Sequence, residues 1–201
     1  MNPHAPLLIV FAGPNGAGKS TLRGHLFADS SIPFVNADVI AEQRSIGAYE
    51  AADIAETERR RLFEVRASFM FESVFSDPVG AKVAFLEAAR STGYHVIVHF
   101  VGLASPEHSL ARVTQRVNEG GHDVPDDKIA ARYPRVLENL ARMVGNVDDL
   151  SIFDNSSRQH PYRLLARFMG SELVQLSATL PDWIAYLNLP SRATSSTAII
   201  P

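Results

Sequence analysis

The chain has 201 residues, a formal net charge of -3, 46% hydrophobic and 20% charged residues, and no cysteine. Disulfide frameworks and cysteine-ligated metal centres are thereby excluded. The mildly acidic balance gives no global pull toward nucleic acid or an anionic membrane, so any anion site has to be local.

The length suits one domain, 1–201, with a sizeable core. The first twenty residues carry no basic n-region, and their apolar run is too short to span a bilayer. The expectation is a cytoplasmic protein without a targeting signal, acting on neither nucleic acid nor membrane.

Residues 7–12 (LLIVFA) run apolar without a break into a glycine, as expected of a central parallel strand buried on both faces. A helix is expected from about Lys19 to Ala28, a short strand at 33–36, and a long helix over 48–66. The Arg59-Arg60-Arg61 run in that helix is offset by Glu56, Glu58 and Glu64 and reads as a solvated face. A third strand is expected at 68–72 (SFMFE), then a helix near 79–91. Residues 94–103 (YHVIVHFVGL) are the strongest strand signal after the first. His95 and His99 share a face of it but sit about 13 Å apart, which favours packing over joint metal ligation. Two helices, 106–119 and 126–143, flank "GGHDVP". A short strand at 151–154 follows, then strand material over 163–177 that is ambiguous with helix. A last short helix is expected at 181–188 and a flexible tail over 190–201. Alternating strands and helices predict an α/β fold: three layers of the P-loop nucleoside triphosphate hydrolase type, with a central parallel sheet, helices on both faces and a helical lid at about 105–145.

Gly13, Gly18, Lys19 and Ser20 match G-x-x-x-x-G-K-[ST], between a strand and a helix-compatible segment as that motif requires. In such a loop, glycines let backbone N–H groups curl round phosphates at a helix N-terminus. The candidate ATP-binding stretch is Gly13, Pro14, Asn15, Gly16, Ala17, Gly18, Lys19, Ser20 and Thr21. Lys19 is expected on the β- and γ-phosphates and the Ser20 hydroxyl on Mg²⁺.

No LSGGQ-like signature follows, which argues against a transporter-type ATPase, and no N-K-x-D motif, which argues against a GTPase switch. Nor does "HVIVHFVGLAS" close on the acidic pair that a hydrolytic motor uses. Acids stand instead at other strand ends: Asp38 in "VNADVI" and Glu72 closing SFMFE. In an open parallel sheet those ends face the ligand crevice. A carboxylate there takes an acceptor proton or anchors Mg²⁺; the plainer alternatives are a helix cap for Asp38 and an arginine pair for Glu72. Over 105–145 six Lys/Arg balance six Asp/Glu, so placement carries the information. Arg112 and Arg116 share one helix face, and Arg132 and Arg135 share another. Two arginine-bearing helices joined by a Gly-Gly loop suit a lid over phosphates.

Together "LIVFAGPNGAGKST", "VNADVIA", "FMFESVFS", "RVTQRVNEGGHDVP", "IAARYPRVLENL" and "FDNS" resemble the zeta toxin family of P-loop kinases, in its short stand-alone bacterial branch. They run in order over about residues 7–156. The resemblance implies ATP-dependent phosphorylation of a small hydroxyl acceptor; in well-known members this is the sugar 3′-hydroxyl of UDP-N-acetylglucosamine. It further implies Asp38 as catalytic base, Glu72 on the sugar, Arg116 as a lid arginine on the phosphates, and a small antitoxin as a frequent partner. Two positions depart from the family. Ser73-Val74 replaces Gly-Thr after the glutamate, which puts the acceptor's identity in question. The second lid arginine falls near His122, leaving Arg132 or Arg135 to substitute, with Ser73 and His122 as acceptor-side candidates. Another metabolite or nucleotide kinase, and an ATP-gated binding module with little transfer activity, are the alternative readings.

Overall fold

The computed structural model describes residues 5–121, 123–189 and 198–200. In chain order the elements are β1 (Leu7–Ala12), α1 (Lys19–Leu26), β2 (Phe34–Val35), α2 (Ala37–Arg44), α3 (Ala48–Glu64), β3 (Phe69–Ser73), α4 (Ala81–Ser91) and β4 (His95–Gly102). They continue with α5 (Pro106–Asn118), α6 (Asp126–Met143), β5 (Asp149–Asp154), β6 (Arg163–Met169), β7 (Glu172–Ser177), a 3-10 turn at Asp182–Leu187, and β8 (Ala198–Ile200).

The unbroken apolar run of β1 is explained by what covers it. Leu8, Val10 and Ala12 enter one core, with residues from α3, α4 and α6. Ile9 and Phe11 enter a smaller one on the opposite face, with Leu22 of α1. Side chains alternate across a strand, so a strand buried on both faces has no polar position.

The strands form one sheet in the order β2-β3-β1-β4-β5-β6-β7-β8. From β2 to β5 every pairing is parallel. The expected parallel sheet ends there, because β5, β6 and β7 pair antiparallel. Short connections decide this: no helix separates these strands, and β6 turns into β7 through Gly170 at φ 58. Parallel neighbours would need a long crossover. The ambiguous 163–177 segment is therefore two strands. After β1 the chain moves first to β3 and β2 on one side, then across to β4 and β5. The C-terminal end of β1 is thus the topological switch point, where open α/β sheets bind ligands.

The expected lid segment divides into two kinds of helix. α6 buries Tyr133, Val136, Leu137, Leu140 and Met143 in the main core. The Tyr133 hydroxyl donates to Leu103 O at 2.6 Å, and burial pushes that phenol up to about 12. α5 lies on the loop after β1 instead. Of the expected flexible tail, residues 190–197 and 201 lie outside the described residues. Ala198–Ile200 contradicts the expectation: it adds a strand parallel to β7, matching Leu176 with Ile199. An apolar "AII" segment has a ready template in the edge of β7. The solvated-face reading of the arginine run holds for Arg60 and Arg61, which are exposed and paired with Glu56 and Glu58. Arg59 departs from it: it pairs with Glu56 but lies half-buried over the Phe71 ring at 5.2 Å, because the i,i+3 turn of the helix brings it onto the sheet.

Asn139 of α6 holds the loop after β3. Its buried amide donates to Phe75 O at 2.8 Å and Asp77 O at 2.9 Å, and its Oδ1 accepts from Arg142. Asn139→Ala strips both carbonyls of their donor and should cost about 1–3 kcal/mol in chemical denaturation. His99 packs against Phe11, Phe27 and Phe153. Burial pushes its imidazole down to about 4, with Asp149 opposing and Arg167 adding to the shift. The unfolded chain therefore binds the His99 proton first as pH falls, and stability is lost between about 6.5 and 4. His99→Phe should flatten the decline of the unfolding midpoint over that window relative to the parent chain.

Candidate active site

The loop between β1 and α1 is shaped by what approaches it from behind. Gly16 (φ 71) and Gly18 (φ 88) both take left-handed backbone. A Cβ on Gly16 would come within 2.9 Å of Arg112 Cβ, and one on Gly18 within 2.6 Å of Tyr162 Oη. Glycine is needed at both for conformation and for contact. The loop's carbonyls are tied back by side-chain donors. Lys19 Nζ donates to Pro14 O at 2.9 Å, the Ser109 hydroxyl to Asn15 O, Asn155 Nδ2 to Ala17 O at 2.9 Å, and Tyr162 Oη to Gly18 O at 2.9 Å. Within the loop the Ala17 N–H also donates to Pro14 O, at 3.3 Å, and the loop runs directly into the positive end of α1.

In front of the loop lies a cavity of about 510 Å³. Lys19, Ser20 and Glu72 line it, together with Arg112, Arg116 and Arg158. Glu72 is the penultimate residue of β3, which pairs directly with β1. One of its oxygens, Oε2, accepts from the Ser20 hydroxyl at 2.6 Å and from Asn36 Nδ2 at 3.3 Å. The other, Oε1, lies 3.7 Å from Lys19 Nζ. Lys19 is only 5% exposed. Burial holds its ammonium below the usual lysine range and the Arg116 charge adds to this, while Glu72 and Asp38 oppose both. One buried ammonium thus feels the acids of β3 and α2 and an arginine of α5.

Asp38 lies exposed in the first turn of α2, one residue past the helix start. It is not the cap. Asn36 is: its Oδ1 accepts from the N–H groups of Asp38 at 2.8 Å and Val39 at 3.4 Å. The cap alternative for Asp38 is therefore overturned, because the asparagine two residues earlier already satisfies those donors. The arginine-pair alternative for Glu72 is overturned too: its partners are Ser20, Asn36 and Lys19.

Arg112 and Arg116 both reach the cavity. Arg112 donates to Asn155 O, which joins α5 to the segment after β5. Arg132 is half-buried and Arg135 exposed on α6, and neither lines this cavity. Ser73 is half-buried at the end of β3. His122 lies outside the described residues. Arg158 is the addition. It comes from the β5–β6 connection, donates to Gln115 Oε1 at 2.6 Å, and lines the same cavity as the loop lysine. The signal for it in the sequence is positional: "NSSRQHPY" follows a strand whose C-terminal end belongs to the same crevice. No helix among the described residues is long and apolar enough to cross a membrane.

Comparison with known proteins bears on the family and the fold. A Haemophilus influenzae protein is 31% identical over 132 residues, covering 62% of this chain and 91% of that protein. Among solved structures, one from the PezAT chromosomal toxin-antitoxin system of Streptococcus pneumoniae aligns with a TM-score of 0.62 at 14% identity, over 93% of this chain and 80% of that one. An AvrRxo1-ORF1:-ORF2 structure with ATP aligns with a TM-score of 0.61 at 17% identity; it takes in 86% of this chain, which spans 61% of that one. At such identities these structures speak for a shared fold. The Zeta toxin family profile matches residues 45–164, from just after α2 into β6, and includes Glu72, Arg112, Arg116 and Arg158. The chain belongs to the zeta toxin family.

Proposed function

We propose that this protein is a kinase that transfers the γ-phosphate of ATP to a hydroxyl of a small acceptor, with UDP-N-acetylglucosamine or a related nucleotide sugar as the acceptor class. The observation that carries this reading is the setting of Lys19, a buried ammonium that donates to Pro14 O of the loop, lies 3.7 Å from Glu72 Oε1 and shares one cavity with Arg112, Arg116 and Arg158. The PezAT and AvrRxo1 likenesses add ATP as donor and an antitoxin-type protein as partner to the proposal.

The residues divide the work as follows. The loop from Gly13 to Thr21 holds the polyphosphate through backbone N–H groups, and Lys19 neutralises its distal oxygens. Asp38 takes the proton of the acceptor hydroxyl. The acceptor oxygen bonds to the γ-phosphorus as the bond to the bridging oxygen breaks and ADP leaves. Arg112, Arg116 and Arg158 oppose the charge spread over the transferring group, in a cavity walled by α5 and the β5–β6 connection. The Ser20 hydroxyl and the Glu72 carboxylate are hard oxygen donors 2.6 Å apart beside the loop, a donor set that suits Mg²⁺. When bound, the ion would neutralise charge on the nucleotide's phosphate oxygens. Glu72 thereby takes on the acid-beside-the-loop role that "HVIVHFVGLAS" lacks, because β3, not β4, brings a carboxylate to the end of a strand flanking β1.

Incubation with γ-labelled ATP and a panel of UDP-sugars, nucleosides and small alcohols tests the reaction. Label should appear on one acceptor class; free phosphate alone, indifferent to every acceptor, overturns the kinase reading. Lys19→Ala should lose ATP affinity and turnover together. Asp38→Asn should keep ATP binding and lose about 10²–10⁴-fold in turnover; near-normal turnover in that variant removes Asp38 from the base role.

Glu72→Gln separates its two candidate roles. As an Mg²⁺ anchor, the variant should bind a fluorescent ATP analogue with an affinity that no longer rises with Mg²⁺. As a contact to the sugar alone, it should keep that dependence and raise the acceptor KM.

A further inference from the structure

A second groove, of about 480 Å³, lies at the opposite margin of the sheet from β8, between β2 and the helices α2 and α3. Phe34, Ile40 and Ile54 form its apolar part, and Arg44, Glu50 and Asp53 stand around them. It lies apart from the proposed phosphotransfer site. Asp38 and Ile40 are two residues apart on α2, about 200° around the helix, so the groove is on the far side of α2 from Asp38.

Three features of the groove agree on one kind of occupant. The first is an open backbone. Among the described residues β2 is the terminal strand of the sheet and pairs with β3 alone. Pro33 O accepts from Met70 N at 2.7 Å, so the carbonyl before Phe34 is turned toward β3. Backbone groups alternate along a strand, and the N–H and C=O of Phe34 therefore face outward, along the groove its ring lines. The second is rigidity. Arg23 of α1 lies over the Phe34 ring at 4.8 Å, and Val35 is anchored in the main core. The third is charge. Glu58 on the rim is answered by Arg61 at 2.8 Å. Glu50 and Asp53, three residues apart on the exposed face of α3, have no ion-pair partner among the described residues, and only Arg44 among the lining residues carries positive charge.

We propose that this groove docks an extended segment of a partner polypeptide, apolar and basic in alternation, which adds a strand to the open edge of β2. The main chain of the partner pairs with Phe34. Alternate apolar side chains lie on Phe34, Ile40 and Ile54, and the intervening cations meet Glu50 and Asp53. This surface is independent of the kinase reading, and its test does not use turnover.

Two labelled hexapeptides, Lys-Val-Lys-Val-Lys-Val and Glu-Val-Glu-Val-Glu-Val, serve as probes in fluorescence anisotropy against the whole chain. The basic peptide should bind, with the Phe34 amide among the shifted NMR resonances, and the acidic one should not. A basic peptide N-methylated at alternate residues keeps its charge but cannot pair as a strand, and it should lose binding. The double variant Glu50→Lys/Asp53→Lys, at two exposed positions, should weaken the basic peptide by at least about tenfold and gain affinity for the acidic one. Failure of the basic peptide to bind, equal binding of the N-methylated form, or indifference to the double charge reversal each overturns the proposal. Sedimentation velocity without peptide covers the remaining occupant: a dimer that the double variant abolishes assigns the groove to a second copy of this chain and overturns the partner assignment.

Discussion

The site depends on how the carbonyl groups of the phosphate loop are disposed of. A peptide loop that presents its N–H groups to an anion has to do something with the oxygens on its other side, and leaving them buried and unpaired is costly. Here the carbonyls of Pro14, Asn15, Ala17 and Gly18 accept from Lys19, Ser109, Asn155 and Tyr162 respectively. Three of these donors come from segments about 90 to 145 residues further along the chain. The loop is therefore a junction: α5 and the β5–β6 connection are bonded to its back, and the arginines they carry are delivered to its front. Glycine at 16 and 18 allows those segments to come close enough for both to happen.

This arrangement explains why α5 cannot be regarded as a free flap. Its second turn bonds to the loop through Ser109, and Arg112 is tethered to Asn155. Arg116, one turn on, already lies close enough to act electrostatically on Lys19. α6 is bound still more firmly, through five large side chains in the main core.

The carboxylates show a comparable division. Glu72 is half-buried, hydrogen-bonded to Ser20 and Asn36 and close to Lys19, whereas Asp38 is exposed at the start of α2 with its helix already capped by Asn36. A bound carboxylate beside the loop suits a cation-holding role. An exposed one, free of capping duty, suits proton transfer to and from an incoming acceptor. Asn36 links the two, capping the helix of one acid and donating to the other.

The glycine loop after β1, the parallel half of the sheet and the placing of Glu72 near the end of a strand beside the crevice were legible in the sequence, since each rests on local pattern: an apolar run, glycine spacing, and the rule that strand ends face the crevice. Asp38 stands in the first turn of α2, outside the residues that line the cavity. Family membership was legible too, in motifs spread along the chain in order. Three things were decided by tertiary structure alone. Strand order put β3 beside β1, which turned Glu72 from a strand-end acid into a partner of Lys19 and Ser20, and no residue near Glu72 announces that pairing. Packing chose among the arginines, sending Arg112, Arg116 and Arg158 to the cavity and Arg132 and Arg135 elsewhere, because a helix's spacing says which side chains share a face but not what that face meets. The antiparallel β5–β6–β7 end of the sheet was the third, as strand direction there follows from connections too short for a crossover. Local chemistry is written residue by residue, whereas neighbourhood is a property of the folded chain.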